Sequence, residues 1–407
     1  MRLLHLRSFI STFIAVGLAS GLASGQKTWI VDKNNGPGTH YTDLPPAVAA
    51  AAHGDTIILR SGTYNATTIG KGLAILGRSG AVIRAGFFIG PPLRINGIPA
   101  GKIFRMRNVR VQDQLLALNG VLEIKGNLGS VHLQGVTVST TNVHPRGPVM
   151  RIQDSKAVTL NSCASPTGCT ISGSKVMING GSYHGTNAYT QWGHGCWDVP
   201  SSAALIVSSS TVQMTQLQVT GGNGHASCWS TNPPIAGSPA VKATGSRILA
   251  LGSSSTLSAG SSSPYALVGA SSSSLVLDPG VTLNPKPGHS GFTTVALEKR
   301  PVLTVSGGAL GGSLQATLTS PKGHFFVFYE SLPWIPVPVA HFGEVWLDHG
   351  YLILLGVGLQ DATGQRSFNL PIPNLTVFRG VPILMQGWGG TTLGNFRYSN
   401  AVVSVLD

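Results

Sequence analysis

Eight side chains able to hold a flat, hydroxylated ligand crowd one stretch of this sequence: Tyr183, His184, Tyr189, Trp192, His194, Trp197, His225 and Trp229 fall within 47 residues. Four of them belong to a near duplication, Gly193-His194-Gly195-Cys196-Trp197 and Gly224-His225-Ala226-Ser227-Cys228-Trp229. Aromatic rings offer large rigid faces at small entropic cost, which suits stacking on sugar rings. Asp198 stands beside them to accept bonds from sugar hydroxyls. Tyr189, Trp192, His194, Trp197, His225 and Trp229 are therefore the candidate glycan contacts. The same rings have a second reading, in which they cover a Cys196–Cys228 bridge and fill the loop interior.

Cleavage of a glycan needs more than stacking. Hydrolysis calls for two carboxyl groups placed around the glycosidic oxygen, and a calcium-dependent lyase calls for clustered carboxylates around a hard cation. Between residues 100 and 290 the acids are Asp113, Glu123, Asp154, Asp198 and Asp278, and no two are close in sequence. Asp154, Asp198 and His194 form the alternative catalytic set, which only the stacking of distant segments would assemble. No phosphate loop, nucleophile elbow or close pair of Cys-x-x-Cys motifs occurs, so no cofactor and no metal is expected.

Four cysteines allow three pairings. Cys163 and Cys169 bracket a short turn, and Cys196 and Cys228 sit in the duplicated segments, so bridges Cys163–Cys169 and Cys196–Cys228 are expected in an oxidising compartment. Export is the reading of residues 1–25: Arg2 and Arg7 precede an apolar stretch, and Ala23-Ser24-Gly25 provides small residues for cleavage of a signal peptide. No later apolar run is long enough to span a bilayer as a helix. The expected location is secreted or at the cell surface. With 27 basic and 14 acidic residues the chain carries +13, or +11 without the first 25 residues. Such an excess favours a polysaccharide or other surface polyanion over long range. The basic residues are spread along the chain without a compact block, which speaks against nucleic acid. Nothing in the sequence sets the oligomeric state.

The elements that must position these groups are short strands. Only 10% of residues are charged, 42% are apolar, and 53 glycines and 25 prolines punctuate the chain. Serines head a recurring apolar alternation at 155, 174, 210, 246 and 273, separated by 19, 36, 36 and 27 residues, and such spacings fit stacked turns with loops of variable length. Stacking would place the two duplicated loops side by side. Residues 29–32 read as a strand, 42–53 as a helix with Thr42 or Asp43 as cap and Pro45-Pro46 in its first turn, and 56–60 as a second strand. Gly54 ends the helix. After Glu298 the serine runs stop, aromatic residues increase, and turn-separated strands fit a β-sandwich.

This opening order, with its Gly54-Asp55-Thr56-Ile57 strand and Gly62-Thr63-Tyr64-Asn65, resembles the start of pectin-lyase-like right-handed parallel β-helices. The resemblance implies a coil whose N-terminal end is plugged by the helix, on a scaffold that often acts on polysaccharides. Gly193-His194-Gly195 is similar to an element of the polygalacturonase-like members, while their companion acidic motifs are missing. The final stretch, through Asn369-Leu370-Pro371-Ile372-Pro373 and Gln386-Gly387 to Ser399-Asn400-Ala401, resembles a C-terminal β domain recurrent in exported proteins of planctomycete-type bacteria. The expectation is an all-β protein: signal peptide 1–25, parallel β-helix 26–297 with an N-terminal capping helix, and β-sandwich 298–407. Its expected role is non-catalytic glycan binding or a structural one at the surface or matrix. A polysaccharide lyase or glycoside hydrolase is the alternative.

Overall fold

A computed structural model describes residues 26–84, 91–113, 120–140, 148–192, 196–227, 234–286, 288–339, 342–392 and 395–407, without the side chains of 190–192 and 196–197. The chain is mostly β, and its parallel strands fall into three columns. The first runs from Thr28–Val31 through Thr56–Leu59, Ile103–Arg107 and Thr211–Thr215 to Thr294–Leu297. The second begins at Gly62–Asn65 and ends at Thr282–Asn284. The third begins at Thr67–Ile69 and ends at His289–Ser290. Each strand pairs in parallel with its counterpart one turn away, an arrangement consistent with a β-helix. Alternate residues point inward and form one apolar core from Val31 to Leu283.

Serine order explains how the turns register. Ser155 N–H donates to Ser174 Oγ at 3.0 Å, Ser174 N–H to Ser210 Oγ at 3.0 Å, Ser210 N–H to Ser246 Oγ at 3.2 Å and Ser246 N–H to Ser273 Oγ at 3.4 Å. The residues that head the recurring strands thus form a ladder at the corner between the third and first columns. Each hydroxyl satisfies a main-chain donor that the corner takes out of the sheet.

The N-terminal helix is Leu44–Ala50, shorter than expected, with Asp43 and not Thr42 as its cap. It stops early because Ala51 is extended, and Lys71 Nζ donates to the exposed carbonyls of Val48, Ala49 and Ala51. Gly54 follows at φ +94°, where a β-carbon would strain the chain. Asp55 joins the cap to the sheet by accepting from Lys27 N, Trp29 Nε1 and Ala52 N, each at 2.9 Å. Burial pulls its pKa up, but the bonds from Ala52, Lys27 and Trp29 outweigh it and leave the carboxyl below the usual range. Asp55→Ala should cost about 2 kcal/mol at neutral pH. A carboxyl with a lowered folded pKa stabilises above its unfolded value and loses that contribution as pH falls below about 4, so the gap between wild type and variant should narrow in acid. Thermal unfolding of both proteins at pH 7 and pH 3 checks this.

The parallel columns end at Leu297, and the antiparallel sheets that follow them begin with Val302. One sheet contains Val302–Gly307, Ser313–Thr319 and Gln365–Pro371. A second orders Ile353–Leu359, Phe325–Ser331, Pro382–Gly390 and Arg397–Val405. The pair Pro333–Val339 and Gly343–Leu347 forms a third. These sheets pack on the stack. The first column turns apolar residues outward as well as inward, and the antiparallel strands cover them: Ala157 and Met177 pack with Trp346, Leu384, Ala401 and Val403, and Leu249 and Val276 pack with Val302.

The expected Cys163–Cys169 bridge is absent, and both residues are free thiols with no exposure. Cys163 lies in the second column opposite Gly181, while Cys169 opens the third between Met150 and Leu205. The turn between them is a corner of the stack. Cys163 Sγ lies 3.6 Å from Leu133 O and Cys169 Sγ lies 3.8 Å from Thr170 O, so each thiol has its own carbonyl neighbour. Burial pushes the Cys163 thiol up to about 12 and Cys169 higher still, and both are inert as nucleophiles. Cys228 and the Cys196 side chain lie outside the described residues, as does the expected signal peptide.

Candidate functional site

On the outward face of the third column the middle turns are basic. In-register pairing puts Arg94, Glu123 and Arg151 in one row across three neighbouring strands. A second row holds Asn96, Lys125 and Gln153. Lys102 and Lys156 occupy the corner that leads to the first column, and the Lys156 N–H bonds to Asn127 O. Arg94, Lys102, Lys125, Arg151 and Lys156 are all exposed. Neighbouring strands lie about 4.8 Å apart, so Arg94 and Arg151 stand about 10 Å apart along the stack axis, as do Lys102 and Lys156. Two acids temper the patch: Glu123 pairs with Arg94 at 3.3 Å, and Asp154 is exposed at the corner.

Loops from the second column border this face where its strands begin. Main-chain bonds tie successive loops together: Ser202 N to Thr186 O, Gly222 N to Ser202 O, Ser238 N to Gly222 O and Gly260 N to Ser238 O, at 2.8 to 3.0 Å. The two duplicated loops are thus adjacent, and Ser227 Oγ donates to Asp198 Oδ2 at 2.6 Å across them. The first loop carries an antiparallel ribbon, Tyr189–Trp192 with Cys196–Val199, in which Thr190 faces Asp198 and Gln191 faces Trp197. His225 is exposed and exchanges main-chain bonds with Ile235.

Other expected residues are placed differently. Tyr183 lies in the strand Lys175–His184 with its ring fully buried in the stack, so it is core and not loop. Tyr189 is half-buried and His184 exposed. His194 and Trp229 lie outside the described residues, and so do the side chains of Trp192 and Trp197. Asp154 follows the third-column strand Met150–Gln153, and Asp198 precedes the third-column strand Leu205–Ser208, so they occupy opposite ends of the column. Four residues at roughly 3.3 Å each, about 13 Å, separate the corners.

Among the described residues no three His, Cys, Asp or Glu side chains gather as a metal would require. His132 is buried with Nδ1 at 2.7 Å from Thr159 Oγ1, and burial, aided by the nearby Arg105 charge, drives its pKa down to about 3. It is a neutral packing residue. A cleft of about 80 Å³ between the stack and the strands Val302–Gly307 and Arg397–Val405 is lined by Gln134, Asn161, Ser162, Asn179 and Gln216. It has room for two or three waters at roughly 30 Å³ each.

The basic rows escaped a search for charge blocks because their members are far apart in sequence. The signal was the interval of 27 to 29 residues linking 94, 123 and 151, and 102, 129 and 156, which is the length of one turn here. No helix among the described residues is long and apolar enough to cross a membrane. No protein-family model matches the chain, and no match was found among curated proteins.

Proposed function

We propose that this chain is an exported, non-catalytic surface or matrix protein that holds an extended acidic glycan along the third column. In this reading the parallel columns are a right-handed β-helix of the pectin-lyase-like kind, plugged by the helix Leu44–Ala50, and the antiparallel sheets are a β-sandwich. The observation that carries it is the distribution of charge. Residues 26–297 hold 19 basic and 8 acidic side chains, whereas residues 298–407 hold six of each. Most of the eight acids are engaged: Asp32, Asp55, Asp113 and Asp278 are buried, Asp43 caps the helix, Glu123 pairs with Arg94 and Asp198 accepts from Ser227. The cations of the third column face solvent. Their alternate-turn spacing is commensurate with charges on alternate residues of an extended glycan. The adjoining loops, with Tyr189, Trp192, Trp197, His225 and Trp229, would add stacking along one border.

Lys125→Glu and Arg151→Glu should each weaken binding to an acidic polysaccharide on the order of tenfold, about 1.4 kcal/mol, and added salt should weaken the wild type. Titration calorimetry against a uronate-containing and a sulfated polysaccharide, at two salt concentrations, measures both effects. Equal binding by wild type and the variants would reject the track. New reducing ends or unsaturated products in the same samples would replace the reading with a hydrolase or lyase.

A further inference from the structure

The two larger antiparallel sheets have four outer edges, and three of them are closed in identifiable ways. At Val302–Gly307, Leu303 N–H donates to Asn400 Oδ1 at 2.7 Å and Leu303 O accepts from Asn400 Nδ2 at 2.8 Å. At Arg397–Val405, side chains of the parallel stack do the work. Ala401 O accepts from Asn179 Nδ2 at 2.8 Å, Val403 O from Asn161 Nδ2, and Val405 O from the Arg107 guanidinium, while Val405 N–H donates to Gln134 Oε1 at 2.9 Å. The edge Gln365–Pro371 carries exposed Arg366 and ends in proline, two devices that discourage strand addition.

The fourth edge, Ile353–Leu359, has none of these. It pairs on its inner side with Phe325–Ser331, and among the described residues no strand pairs with its outer side. From Tyr351 to Leu359 there is no charge and no proline. Leu354, Val357 and Leu359 are 49%, 55% and 61% exposed. A row of free main-chain donors and acceptors flanked by bare apolar side chains fits an extended strand of similar character.

We propose that this strand joins two copies of the chain, edge to edge and antiparallel about a twofold axis. Charge selects the second copy as occupant. The stack carries the whole basic excess, while residues 298–407 are balanced at six basic and six acidic. Copies that met through their stacks would oppose like charge to like charge, whereas copies that meet here bring neutral strand to neutral strand and keep both basic faces apart. An antiparallel twofold pairing makes a single strand its own complement. The pairing is independent of what the third column binds.

Sedimentation velocity on the full chain tests it. Wild type should run at twice the chain mass, Val357→Lys at the mass of one chain with unchanged far-ultraviolet circular dichroism, and Leu297→Lys, on the exposed last strand of the stack, at twice the mass. Because a lysine at 357 could disturb the sheet, Val357→Cys beside the strand midpoint gives a second reading: under mild oxidation it should crosslink two chains, and Leu297→Cys should not. Single-chain mass for wild type, a doubled mass that survives Val357→Lys, loss of doubling in Leu297→Lys, or no crosslink from Val357→Cys would each overturn the proposal.

Discussion

Replacing Glu330 by Gln should stabilise the protein by about 3 kcal/mol at pH 8 and hardly at all at pH 4.5. Glu330 lies on Phe325–Ser331 two residues beyond Phe328, and strand alternation turns Phe326, Phe328 and Glu330 to one side. Phe326 and Phe328 fill the apolar layer between the antiparallel sheets. Glu330 is 4% exposed, and its Oε2 is buried without a hydrogen-bond partner among the described residues. Burial pushes its pKa from 4.5 up to about 7. The folded chain therefore holds this proton more tightly than the unfolded chain does. Stability then falls as pH rises from about 4.5 to about 7 and is level above, because ionisation is resisted only in the folded state. A shift of about 2.5 pKa units at about 1.4 kcal/mol each sets the size of the effect. Gln has the same shape and never ionises. Urea unfolding at pH 5, 6, 7 and 8 should show a decline in wild type that the variant lacks, and parallel pH profiles would disprove the assignment.

Glu330 also shows where sequence reading reaches and where it stops. The cap was legible because each of its parts is local: Asp43 caps the residue after it, and Asp55 reaches Ala52 and a strand whose Trp29 lies 26 residues away. The serine ladder was legible because its members recur at turn length. The outward side of the first column was not. Arg105, His132, Asn161 and Asn179 alternate with inward Phe104, Val131, Leu160 and Ile178 as surface residues of a strand would, yet all four are buried. What buries them is the chain 220 to 275 residues further on, and Arg105 even donates to Gly380 O at 2.6 Å. No local pattern carries contacts of that range. The cysteines failed for a related reason: a turn between two Cys looks like a closed loop until the stack makes it a corner. Asp154 follows one third-column strand and Asp198 stands on a ribbon before another, a relation that chain order alone does not display.

The joint between the stack and the antiparallel sheets should depend on one amide more than on any single apolar contact. Asn400 is fully buried and makes three bonds, to Leu303 N, to Leu303 O and to Asn179 Oδ1 at 3.0 Å. Asn179 in turn donates to Asn161 Oδ1 at 2.9 Å and to Ala401 O, and accepts from Thr215 Oγ1 at 2.6 Å. The side-chain amides of Asn161, Asn179 and Asn400 are all answered by other groups, so together they orient the two parts. Asn400→Ala would strand the Leu303 N–H and C=O and remove a donor from Asn179. At about 1 to 3 kcal/mol for each unsatisfied buried group, the loss should be about 4 kcal/mol. Asn395→Ala serves as the control, because among the described residues Asn395 bonds only within an exposed turn, to Thr391 and Thr392, and its loss should cost under about 1 kcal/mol. Urea midpoints measure both, and hydrogen exchange locates the damage. Asn400→Ala should expose the amides of Leu303 and Val405 while the interior turns around Val131 and Val158 stay protected. Equal costs for the two variants would mean that the apolar cover of the first column, and not the amide seam, sets how the antiparallel sheets are held.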